Sequence, residues 1–403
     1  MATVQEILIE IPRPTFQFRP GYNAPLPEGM SLTRASGGRT LDPTTGRYTF
    51  VPADEKRVFG SEQGLLVEAD PRTNRVQYSS STRGVHWNSS SIDTETPRDS
   101  VIDNETAYEL KGDGTDDSAR VENYSGTLWG GKGTAYVLVE KGSSDLIAFG
   151  VKNSTSNSWL SLVEYDWSTG GTNIVDGSAV EASTKILRPR GPNGAELVLF
   201  VLRIKGNNVN NDSGDNSKIV LYPDRNANGN SAIFHHAQFE GNRDISSPIA
   251  TGPYEVTREK DNVSFDIDSF NPNEGTLLAN FTLRSFYIHN NMVLAGLPGG
   301  GKDYLTIKVS DFPTVIESYD GNNALSTNKS IYNFQKNKVA ISITPNERRL
   351  AANGDVHVGP HNGNLLTNNT IKVGRANRLL AVINRIDYIP KALSEFTLET
   401  LTS

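Results

Sequence analysis

Short runs of strand-like sequence recur along almost the whole chain, and clusters of Gly, Asn, Asp and Pro separate them. Thr134 to Glu140 reads Thr-Ala-Tyr-Val-Leu-Val-Glu, and after Lys141-Gly-Ser-Ser the next run, Asp145 to Val151, reads Asp-Leu-Ile-Ala-Phe-Gly-Val. Runs of strand length that are rich in β-branched and aromatic residues are typical of antiparallel β-sandwiches. The pattern predicts an all-β protein of two tandem antiparallel sandwiches, with an N-terminal arm and a short C-terminal helix.

The composition along the chain predicts where these parts begin and end. The 403 residues are enough for two ordinary domains. Residues 1–60 are rich in Pro, Arg, Thr and Gly, with one strand-like stretch at residues 7–11, and we interpret them as an arm that packs on another protein. The first sandwich is predicted over residues 61–252. The second is predicted over residues 253–403.

The end of the chain has the one segment with a helical pattern. The stretch from Leu393 to Leu401 reads Leu-Ser-Glu-Phe-Thr-Leu-Glu-Thr-Leu. Ser394 is a suitable N-cap, because its hydroxyl can accept from an unpaired N–H group of the first turn. We expect Phe396, Leu398 and Leu401 to supply one apolar face.

Composition excludes several classes of function. The chain has no Cys, so it forms no disulfide, zinc-thiolate site or thiol nucleophile. A net charge of −7 argues against nucleic acid as a partner, because phosphate binding needs a basic face. No apolar run approaches the length of about 20 residues that spans a bilayer, so no membrane insertion is expected. The first residues lack the basic and apolar regions of a secretion signal, so we expect no secretion by that route.

Residues 296–304, Gly-Leu-Pro-Gly-Gly-Gly-Lys-Asp-Tyr, have almost the spacing of a phosphate-binding P-loop. A working P-loop opens a helix and places a hydroxyl on the metal after its Lys. Here Asp303 follows Lys302 and an alternating run comes next, so charge repulsion and the missing helix dipole oppose phosphate binding. We interpret the segment as a wide Gly-rich hairpin of the second sandwich.

Aromatic residues in turn-rich stretches are the candidate ligand contacts. Sugar binding on a sandwich needs aromatic rings that stack on the sugar, with polar side chains beside them for the hydroxyls. All four Trp residues fall in the first sandwich, and Trp87 is one of them. The candidates for carbohydrate binding are Tyr124, Trp129, Trp159 and Trp167. The alternative for each Trp is that it packs in the core, as most Trp residues do.

Calcium is the ion that the sequence suggests, and no other cofactor is expected. Asp224, Asn226 and Asn228 have the spacing of the start of a calcium loop. The twelfth position of such a loop is His235 here instead of Glu, so an EF-hand is excluded. The alternative is an ordinary polar turn.

No motif points to catalysis, and we expect the chain not to be an enzyme. None of the six His residues lies in a nucleophile-elbow or H-E-x-x-H context. Strand alternation places His236, Gln238 and Glu240 on one face and His235 on the other, so we expect a half-exposed strand face and no metal pair. A glycoside hydrolase with two facing carboxylates stays an alternative.

Several landmarks follow one another in the order seen in a family of viral proteins. Ser31-Leu-Thr-Arg-Ala-Ser36, followed by Gly64-Leu-Leu-Val-Glu-Ala69 and Arg72-Thr-Asn74, resembles the entry of tailed-phage head-spike and tail-fibre proteins. Ile233-Phe-His-His-Ala-Gln-Phe-Glu-Gly241 resembles the "W-G-A-Q-x-E-x-G" strand of that family, with His235-His236 in place of Trp-Gly.

The landmarks continue to the C-terminal residues. Ile245-Ser-Ser-Pro-Ile-Ala-Thr251 stands where the family has "T-S-Y-I-P-T", without its Tyr, and Asp261-Asn262 stands at the Asp of "x-T-R-x-x-D". Gly275-Thr-Leu277 resembles the opening of a laminin-G or concanavalin-like sandwich, and the stretch from Ile386 to Thr402 resembles its closing segment. The resemblance covers nearly the whole chain in the correct order.

The resemblance implies a fold and a role. It implies a carbohydrate-binding-module-like jelly roll followed by a lectin-like sandwich of the same type, both on the surface of a virion. The protein would be made in the host cytoplasm, attach to other virion proteins through residues 1–60, form a homo-oligomer and bind host-surface polysaccharide. A head spike and a tail fibre are equally compatible with it. Decoration of the capsid or tail without any ligand is the main alternative, and a glycan-degrading enzyme is the third.

Overall fold

The structure is a computed structural model, and it describes most of the chain with gaps. The described residues are 12–21, 25–42, 44–60, 63–81, 86–127, 133–177, 180–188, 190–204, 216–241, 245–284, 292–296, 298–299, 302–303, 307–309, 316–319, 323–332, 334–361, 369–374 and 379–403. The strand-like stretch predicted at residues 7–11 lies outside them.

Strands account for nearly all of the regular structure in the described residues. The first are β1 (Phe16–Phe18), β2 (Met30–Thr33), β3 (Gly38–Leu41), β4 (Tyr48–Val51), β5 (Val58–Phe59), β6 (Gly64–Glu68), β7 (Arg72–Asn74), β8 (Trp87–Ser90), β9 (Ile92–Asp99), β10 (Thr106–Gly112), β11 (Arg120–Thr127), β12 (Gly133–Lys141), β13 (Leu146–Asn153), β14 (Trp159–Asp166), β15 (Gly171–Asp176), β16 (Val180–Arg188), β17 (Leu197–Ile204), β18 (Asn216–Tyr222) and β19 (Ser231–Glu240). The others are β20 (Val256–Arg258), β21 (Asn262–Asp266), β22 (Gly275–Leu283), β23 (Met292–Gly296), β24 (Pro298–Gly299), β25 (Lys302–Asp303), β26 (Ile307–Val309), β27 (Ile316–Tyr319), β28 (Ala324–Ser326), β29 (Lys336–Ile343), β30 (Glu347–Ala352), β31 (Asp355–Pro360), β32 (Thr370–Val373) and β33 (Leu380–Ile389), before helix α1 (Glu395–Thr402).

The described residues form two compact units. The central unit is Thr45–Phe50 with Arg72–Arg258, and the terminal unit is the described part of Met1–Thr44, Val51–Pro71 and Glu259–Ser403. The described part of the predicted arm, residues 1–60, contributes strands to the terminal unit, so its predicted end at residue 60 does not coincide with a unit boundary. Its attachment to a particle stays a prediction.

The central unit contains two six-stranded antiparallel sheets. The first has the order β16-β17-β12-β19-β10-β9, and the second has the order β15-β14-β13-β18-β11-β8. Alternate side chains from both sheets meet in one core, for example Val137 and Phe200 from the first sheet and Phe149 and Leu221 from the second. This two-layer arrangement is the sandwich that the alternating runs predict.

The terminal unit repeats this architecture with larger sheets. Its eight-stranded sheet has the order β31-β30-β29-β22-β33-β6-β5, with β1 also paired to β33, and its seven-stranded sheet has the order β2-β21-β32-β23-β26-β27-β28. Phe281 and Ile341 of the first sheet share a core with Phe265 and Ile371 of the second. The predicted all-β class, with antiparallel sandwiches and a C-terminal helix, is confirmed.

Helix α1 lies on the outer side of the eight-stranded sheet. The Ser394 hydroxyl accepts from the Thr397 N–H at 3.2 Å, so the predicted N-cap is confirmed. Leu398 and Leu401 pack against sheet residues, but Phe396 is 56% exposed, so its predicted place on the apolar face is wrong. Two residues turn a helix by about 200°, which puts Phe396 opposite Leu398. Within the described chain, no helix is long and apolar enough to cross a membrane.

The Gly-rich segment forms a hairpin. Strands β24 and β25 pair antiparallel, with Pro298 opposite Asp303 and Gly299 opposite Lys302. Lys302 and Asp303 therefore belong to a strand pair and not to the first turn of a helix. The interpretation of this segment as a hairpin is confirmed, but only two residues separate the paired Gly299 and Lys302, so the predicted wide form is wrong.

A buried ion-pair network lies in the terminal unit. The Arg34 Nη1 group donates to Asp261 Oδ1 at 3.0 Å, and Arg57 pairs with both Asp261 and Glu68. The side chains of Arg34, Arg57, Glu68 and Asp261 are at most 2% exposed. Burial alone would lower the pKa of Arg57, but Asp261 and Glu68 raise it above its ordinary value. Arg34, Glu68 and Asp261 all belong to the sequence landmarks, so these landmarks are structural.

A second buried network lies in the central unit and is built around Gln238. Its Oε1 atom accepts from the Ile249 N–H at 2.8 Å and lies 3.0 Å from His236 Nε2. Its amide nitrogen donates to Ser246 Oγ at 3.0 Å and to the carboxylate of Glu240. These residues also come from the landmarks, so the same motifs hold the loop around Ser246 against strand β19.

His235 and His236 do not lie on a half-exposed strand face, and that expectation is wrong. Every residue of β19 is buried. The register with β12 shifts between Leu138 and Val139, opposite this point, so simple alternation does not hold there. His235 Nδ1 accepts from the Val101 N–H at 3.1 Å, and its Nε2 lies 3.2 Å from Glu140 Oε2.

The buried His235 predicts a pH-dependent stability of the central unit. Burial lowers the pKa of His235 below its ordinary value of 6.5, although Glu140 opposes this and Arg47 adds to it. The His235 side chain therefore binds the proton more tightly in the unfolded chain, and its contribution to the free energy of unfolding falls as the pH drops below 6.5. The expected loss is about 1.4 kcal/mol for each pH unit.

Urea denaturation of the wild type and of His235→Gln from pH 5 to pH 8 tests this. The slope between pH 5 and 6.5 should be smaller in the variant by the contribution of one proton. The pKa of Glu140 is below its ordinary value of 4.5, since hydrogen bonds from His235, Asn193 and Ala195 outweigh its burial, so its own contribution is lost only at lower pH. Parallel curves for both proteins would show that His235 does not cause the effect.

Candidate functional site

The second sheet of the central unit has one face in the core and an opposite face with aromatic and charged residues. The register places Trp159 of β14 opposite Lys152 of β13, Lys152 opposite Lys218 of β18, and Lys218 opposite Tyr124 of β11. These four positions form one row across the sheet. We call this surface the Trp159 face; it also includes Gly150, Tyr222, Glu122 and Arg120.

The Trp159 ring is held close to the sheet. A Cβ atom added to Gly150 would come within 2.6 Å of Trp159 Cζ3, so only a glycine leaves room for the ring at this point. The Lys152 ammonium lies 4.5 Å from the ring centroid, a cation–π contact, and the Tyr222 ring centroid lies 6.3 Å away. The Trp159 residue is only partly buried. The result is a fixed aromatic ring that is partly exposed.

Tyr222 lies on the same face but is only 6% exposed, so it packs beside Trp159 and does not offer a second free ring to a ligand. The guanidinium carbon of Arg225 lies 4.9 Å from its ring centroid, and Arg225 Nε donates to Glu164 Oε1 at 3.2 Å. Burial raises the pKa of Tyr222, so its phenol stays protonated and can both donate and accept a hydrogen bond. Ala148, on the neighbouring strand β13, packs against Tyr222 from below.

Three cations surround one carboxylate on the Trp159 face. Arg120 Nε donates to Glu122 Oε1 at 2.8 Å, and Lys218 Nζ lies 3.4 Å from Glu122 Oε2. Burial would raise the pKa of Glu122, but Arg120, Lys218 and Lys152 lower it, so it stays ionised. The pKa of Lys152 is lowered by burial and by repulsion from Arg120 and Lys218, against the attraction of Glu122.

The predicted carbohydrate contacts divide into three groups. Trp159 lies on the face just described, and Tyr124 occupies the same row, although its side chain is outside the described residues. Trp129 lies outside the described residues entirely. Trp167 is 9% exposed and packs edge-on against Tyr165 at 4.9 Å in the core, so the structure does not place it at a rim.

Trp167 is in the core because it follows the inward-facing Tyr165 by two positions. Residues two apart on a strand point to the same face, and the chain continues this direction just past the end of β14 at Asp166. Trp87 is likewise buried, at 5% exposure, and its Nε1 donates to the Tyr78 carbonyl at 3.2 Å. Trp87 and Trp167 therefore pack in the core, as most Trp residues do.

Most charged residues of the Trp159 face were missed from the sequence. Alternation in Lys218-Ile-Val-Leu-Tyr222 does put Lys218 and Tyr222 on one face, so one signal was available. The pairing of β18 with β11 brings Lys218 next to Glu122, although the two residues are 96 positions apart in the sequence. No local pattern of one sequence gives that register.

The predicted calcium ligands form a polar turn. The Asp224 carboxylate accepts from the backbone N–H groups of Asn226, Asn228 and Asn230 at 3.2, 2.9 and 2.9 Å, and from the Ser144 hydroxyl at 3.3 Å. A calcium site needs oxygen atoms directed at one point, whereas here N–H donors surround the carboxylate. Among the described residues, no group of three or more His, Cys, Asp or Glu could hold a metal ion.

A cavity of about 340 Å³ lies in the terminal unit. Hydroxyl, amide and ammonium groups line it, among them Ser31, Thr33, Asn262 and Lys372. Its volume suits a small ligand. None of its lining residues is aromatic, so it lacks the ring that stacks on a sugar, and the Trp159 face is the better candidate.

Comparison with protein families and with curated proteins found no match to this chain. Three solved structures are similar to parts of it. Domain 4 of the extracellular arabinanase AbnA from Geobacillus stearothermophilus, in complex with arabinotriose, is 12% identical over 40% of this chain and 81% of that one, with a TM-score of 0.30. The carbohydrate-binding module CBM40 of a Ruminococcus gnavus sialidase, bound to sialyllactose, is 14% identical over 35% and 93%, with a TM-score of 0.28.

The third structure is a Trypanosoma rangeli sialidase in complex with sialic acid. It is 11% identical over 73% of this chain and 68% of that one, with a TM-score of 0.29. At such TM-scores these likenesses do not bear on the ligand of this chain.

The arrangement on the Trp159 face can bind and orient a polar ring compound. The apolar C–H face of a sugar can stack on the Trp159 ring, while Lys152, Lys218 and Glu122 offer donors and acceptors to its hydroxyls. The row from Trp159 to Tyr124 spans three strand spacings, about 14 Å, which is enough for two or three sugar rings. Because a sheet is rigid, little ordering is needed when the ligand binds.

Proposed function

We propose that this chain is a virion surface protein of a tailed virus, in a head spike or a tail fibre, and that it adheres to host-surface glycans through the Trp159 face. The observation that carries the glycan part is the partly exposed Trp159 ring, fixed on a sheet with the Lys152 ammonium 4.5 Å from its centroid. The order of the sequence landmarks along the chain carries the virion part.

In this proposal the mechanism is adhesion by many weak contacts. One sugar stacked on one exposed ring gives modest affinity, because the contact area is small and water competes for the hydroxyls. When many copies are on one particle, the first contact keeps the other copies close to the glycan. The avidity of the particle therefore exceeds the affinity of a single site by a large factor. Residues 1–60 would attach the chain to other virion proteins, and a homo-oligomer would multiply the sites further.

We infer that the role is not enzymatic. A glycoside hydrolase needs one carboxyl group that stays protonated as a general acid beside a second, ionised carboxylate. Glu122 on the Trp159 face has a lowered pKa, and Arg120 and Lys218 hold it ionised. Glu240 has a pKa raised by burial, but the residue is 1% exposed, so a polysaccharide does not reach it.

A purely structural role in the capsid or tail is the second candidate. The burial of Trp87 and Trp167 favours it, because two of the four Trp residues are then used for packing and not for a ligand. In that case the Trp159 face would contact another virion protein. Binding measurements with polysaccharide separate the two candidates.

The test measures binding of the full chain, displayed in many copies on beads, to an array of neutral and acidic bacterial surface polysaccharides. We expect saturable binding to at least one of them and a loss of about tenfold or more in affinity for Trp159→Ala, equivalent to about 1.4 kcal/mol. The matched control is Tyr254→Ala, which removes a 77% exposed aromatic ring of the same unit outside this sheet and should bind as the wild type does.

Two results would count against the proposal. Equal binding by Trp159→Ala and the wild type would show that the Trp159 face is not the site. No binding of the wild-type beads to any polysaccharide would refute adhesion and leave the structural role. Circular dichroism of each variant checks that the fold is kept.

A further inference from the structure

The charges on the Trp159 face are unbalanced in a chain that is acidic as a whole. The full sequence carries a net charge of −7, yet Arg120, Lys152 and Lys218 surround the single carboxylate of Glu122. Both oxygens of that carboxylate are already engaged, one by Arg120 at 2.8 Å and the other by Lys218 at 3.4 Å. Among the described residues, this cluster therefore has three cations and one carboxylate.

Lys152 is the cation without a carboxylate partner. Among the described residues it forms no ion pair; its Nζ atom donates to Asn157 Oδ1 at 3.4 Å and lies over the Trp159 ring. Its neighbour across the strand pair is Lys218, and like charges that are directly opposite on adjacent strands destabilise a sheet. Folding thus places two ammonium groups together on a half-buried surface beside an aromatic ring.

We propose that the Trp159 face binds an acidic saccharide, with the carboxylate of the sugar beside Lys152 and Lys218 and the sugar ring on Trp159. An anion at this position would balance the repulsion between the two ammonium groups, and the partly desolvated surroundings strengthen the attraction. A neutral sugar would leave that repulsion in place. This inference rests on the proposed function and names its ligand class.

The other charged residues on and beside the Trp159 face are consistent with an acidic ligand. Glu122 keeps Arg120 and Lys218 in fixed positions through its two oxygens, while it also reduces the positive charge that the ligand meets. Arg225, beside Tyr222, is already paired with Glu164 and Asp117, so it adds little to the excess. The attraction is therefore concentrated at the Trp159 end of the row, next to Lys152.

The experiment uses one acidic polysaccharide from the binding array, together with its carboxyl-reduced derivative. Chemical reduction converts each carboxylate to a primary alcohol and leaves the sugar rings and linkages unchanged. The wild-type chain should bind the acidic polymer at least tenfold more tightly than the reduced one. This preference should shrink as the salt concentration rises from 50 mM to 500 mM, because salt screens the exposed charges.

Variants locate the effect. Lys152→Gln should lose about tenfold in affinity for the acidic polymer, equivalent to about 1.4 kcal/mol, and nothing for the reduced polymer. Glu122→Gln should bind the acidic polymer more tightly than the wild type does. This gain in affinity is opposite to the loss expected for Lys152→Gln, and a damaged fold would not produce it. The control is Lys111→Gln, which removes a 48% exposed lysine of the other sheet and should change neither affinity.

The outcomes separate this inference from the proposed function. Equal binding of the wild type to the acidic and reduced polymers, with loss in Trp159→Ala, would overturn the acidic ligand and keep glycan adhesion. An equal loss for Lys152→Gln on both polymers would also overturn it, because the lysine would then act only through the fold or through hydroxyl contacts. No binding to any polysaccharide would refute adhesion itself.

Discussion

Replacing Asp261 with alanine is expected to lower the free energy of unfolding of the terminal unit by about 3–5 kcal/mol. The carboxylate pairs with both Arg34 and Arg57, and its Oδ2 atom also accepts from the Glu68 N–H at 2.8 Å. Without it, two buried guanidinium groups share one carboxylate, and a buried N–H loses its acceptor. Domains have only about 5–15 kcal/mol of total stability, so this loss is a large part of it.

Hydrogen exchange and fluorescence together measure this change in the correct unit. All four Trp residues lie between residues 72 and 258, so their fluorescence reports on the central unit, and exchange of peptides from residues 259–403 reports on the terminal unit. The matched control is Asp268→Ala, which removes an exposed carboxylate of the terminal unit and should cost less than about 0.5 kcal/mol. Equal exchange in both variants would show that the buried network does not stabilise this unit.

Replacing Gln238 with leucine is expected to destabilise the central unit by about 2–4 kcal/mol, because several buried polar groups lose a partner at once. The Ile249 N–H and the Ser246 hydroxyl are bonded to this amide, and so is Glu240. The size of leucine is similar, so lost packing contributes little. The urea midpoint of the tryptophan fluorescence should fall accordingly.

The control for this change is a glutamine at the surface of the same unit. The Gln77 amide donates to the Pro253 carbonyl at 2.9 Å in an exposed position, so Gln77→Leu should cost less than about 1 kcal/mol. Ser246→Ala should fall between the two, because it removes one hydroxyl of the network. If Gln238→Leu were no less stable than Gln77→Leu, the network would have no special part in stability.

The elements that depend on local sequence could be predicted, and those that depend on register could not. The hairpin of Gly299 and Lys302 and the cap at Ser394 follow from residues close together in the chain. The bulge beside His235 does not, since it is set by the partner strand. Trp159 could be predicted as a site residue from its residue type alone. The place of Lys152 beside it depends on the pairing of β13 with β14, which the sequence does not show.

The sequence landmarks were informative about architecture and silent about the site. Arg34, Glu68 and Asp261 meet in one buried network, and Gln238 and Glu240 meet in another. A buried polar group must be matched by partners of fixed geometry, so such residues mark how a chain folds. The Trp159 face contains none of the landmark residues, which is why its ligand had to be argued from charge and distance.

Strand β33 has a consequence for the order in which the protein is made. It leaves the ribosome after the other described strands, yet it pairs with β1, β6 and β22. Phe16 therefore waits for Tyr388, 372 residues later, before its sheet can close, while the central unit has all its residues by Arg258. Synthesis runs from the N-terminus and domains generally fold as units, so the central unit has its chance to fold first. A chain cut short before Leu380 would keep the Trp159 face and lose the sheet that β33 completes.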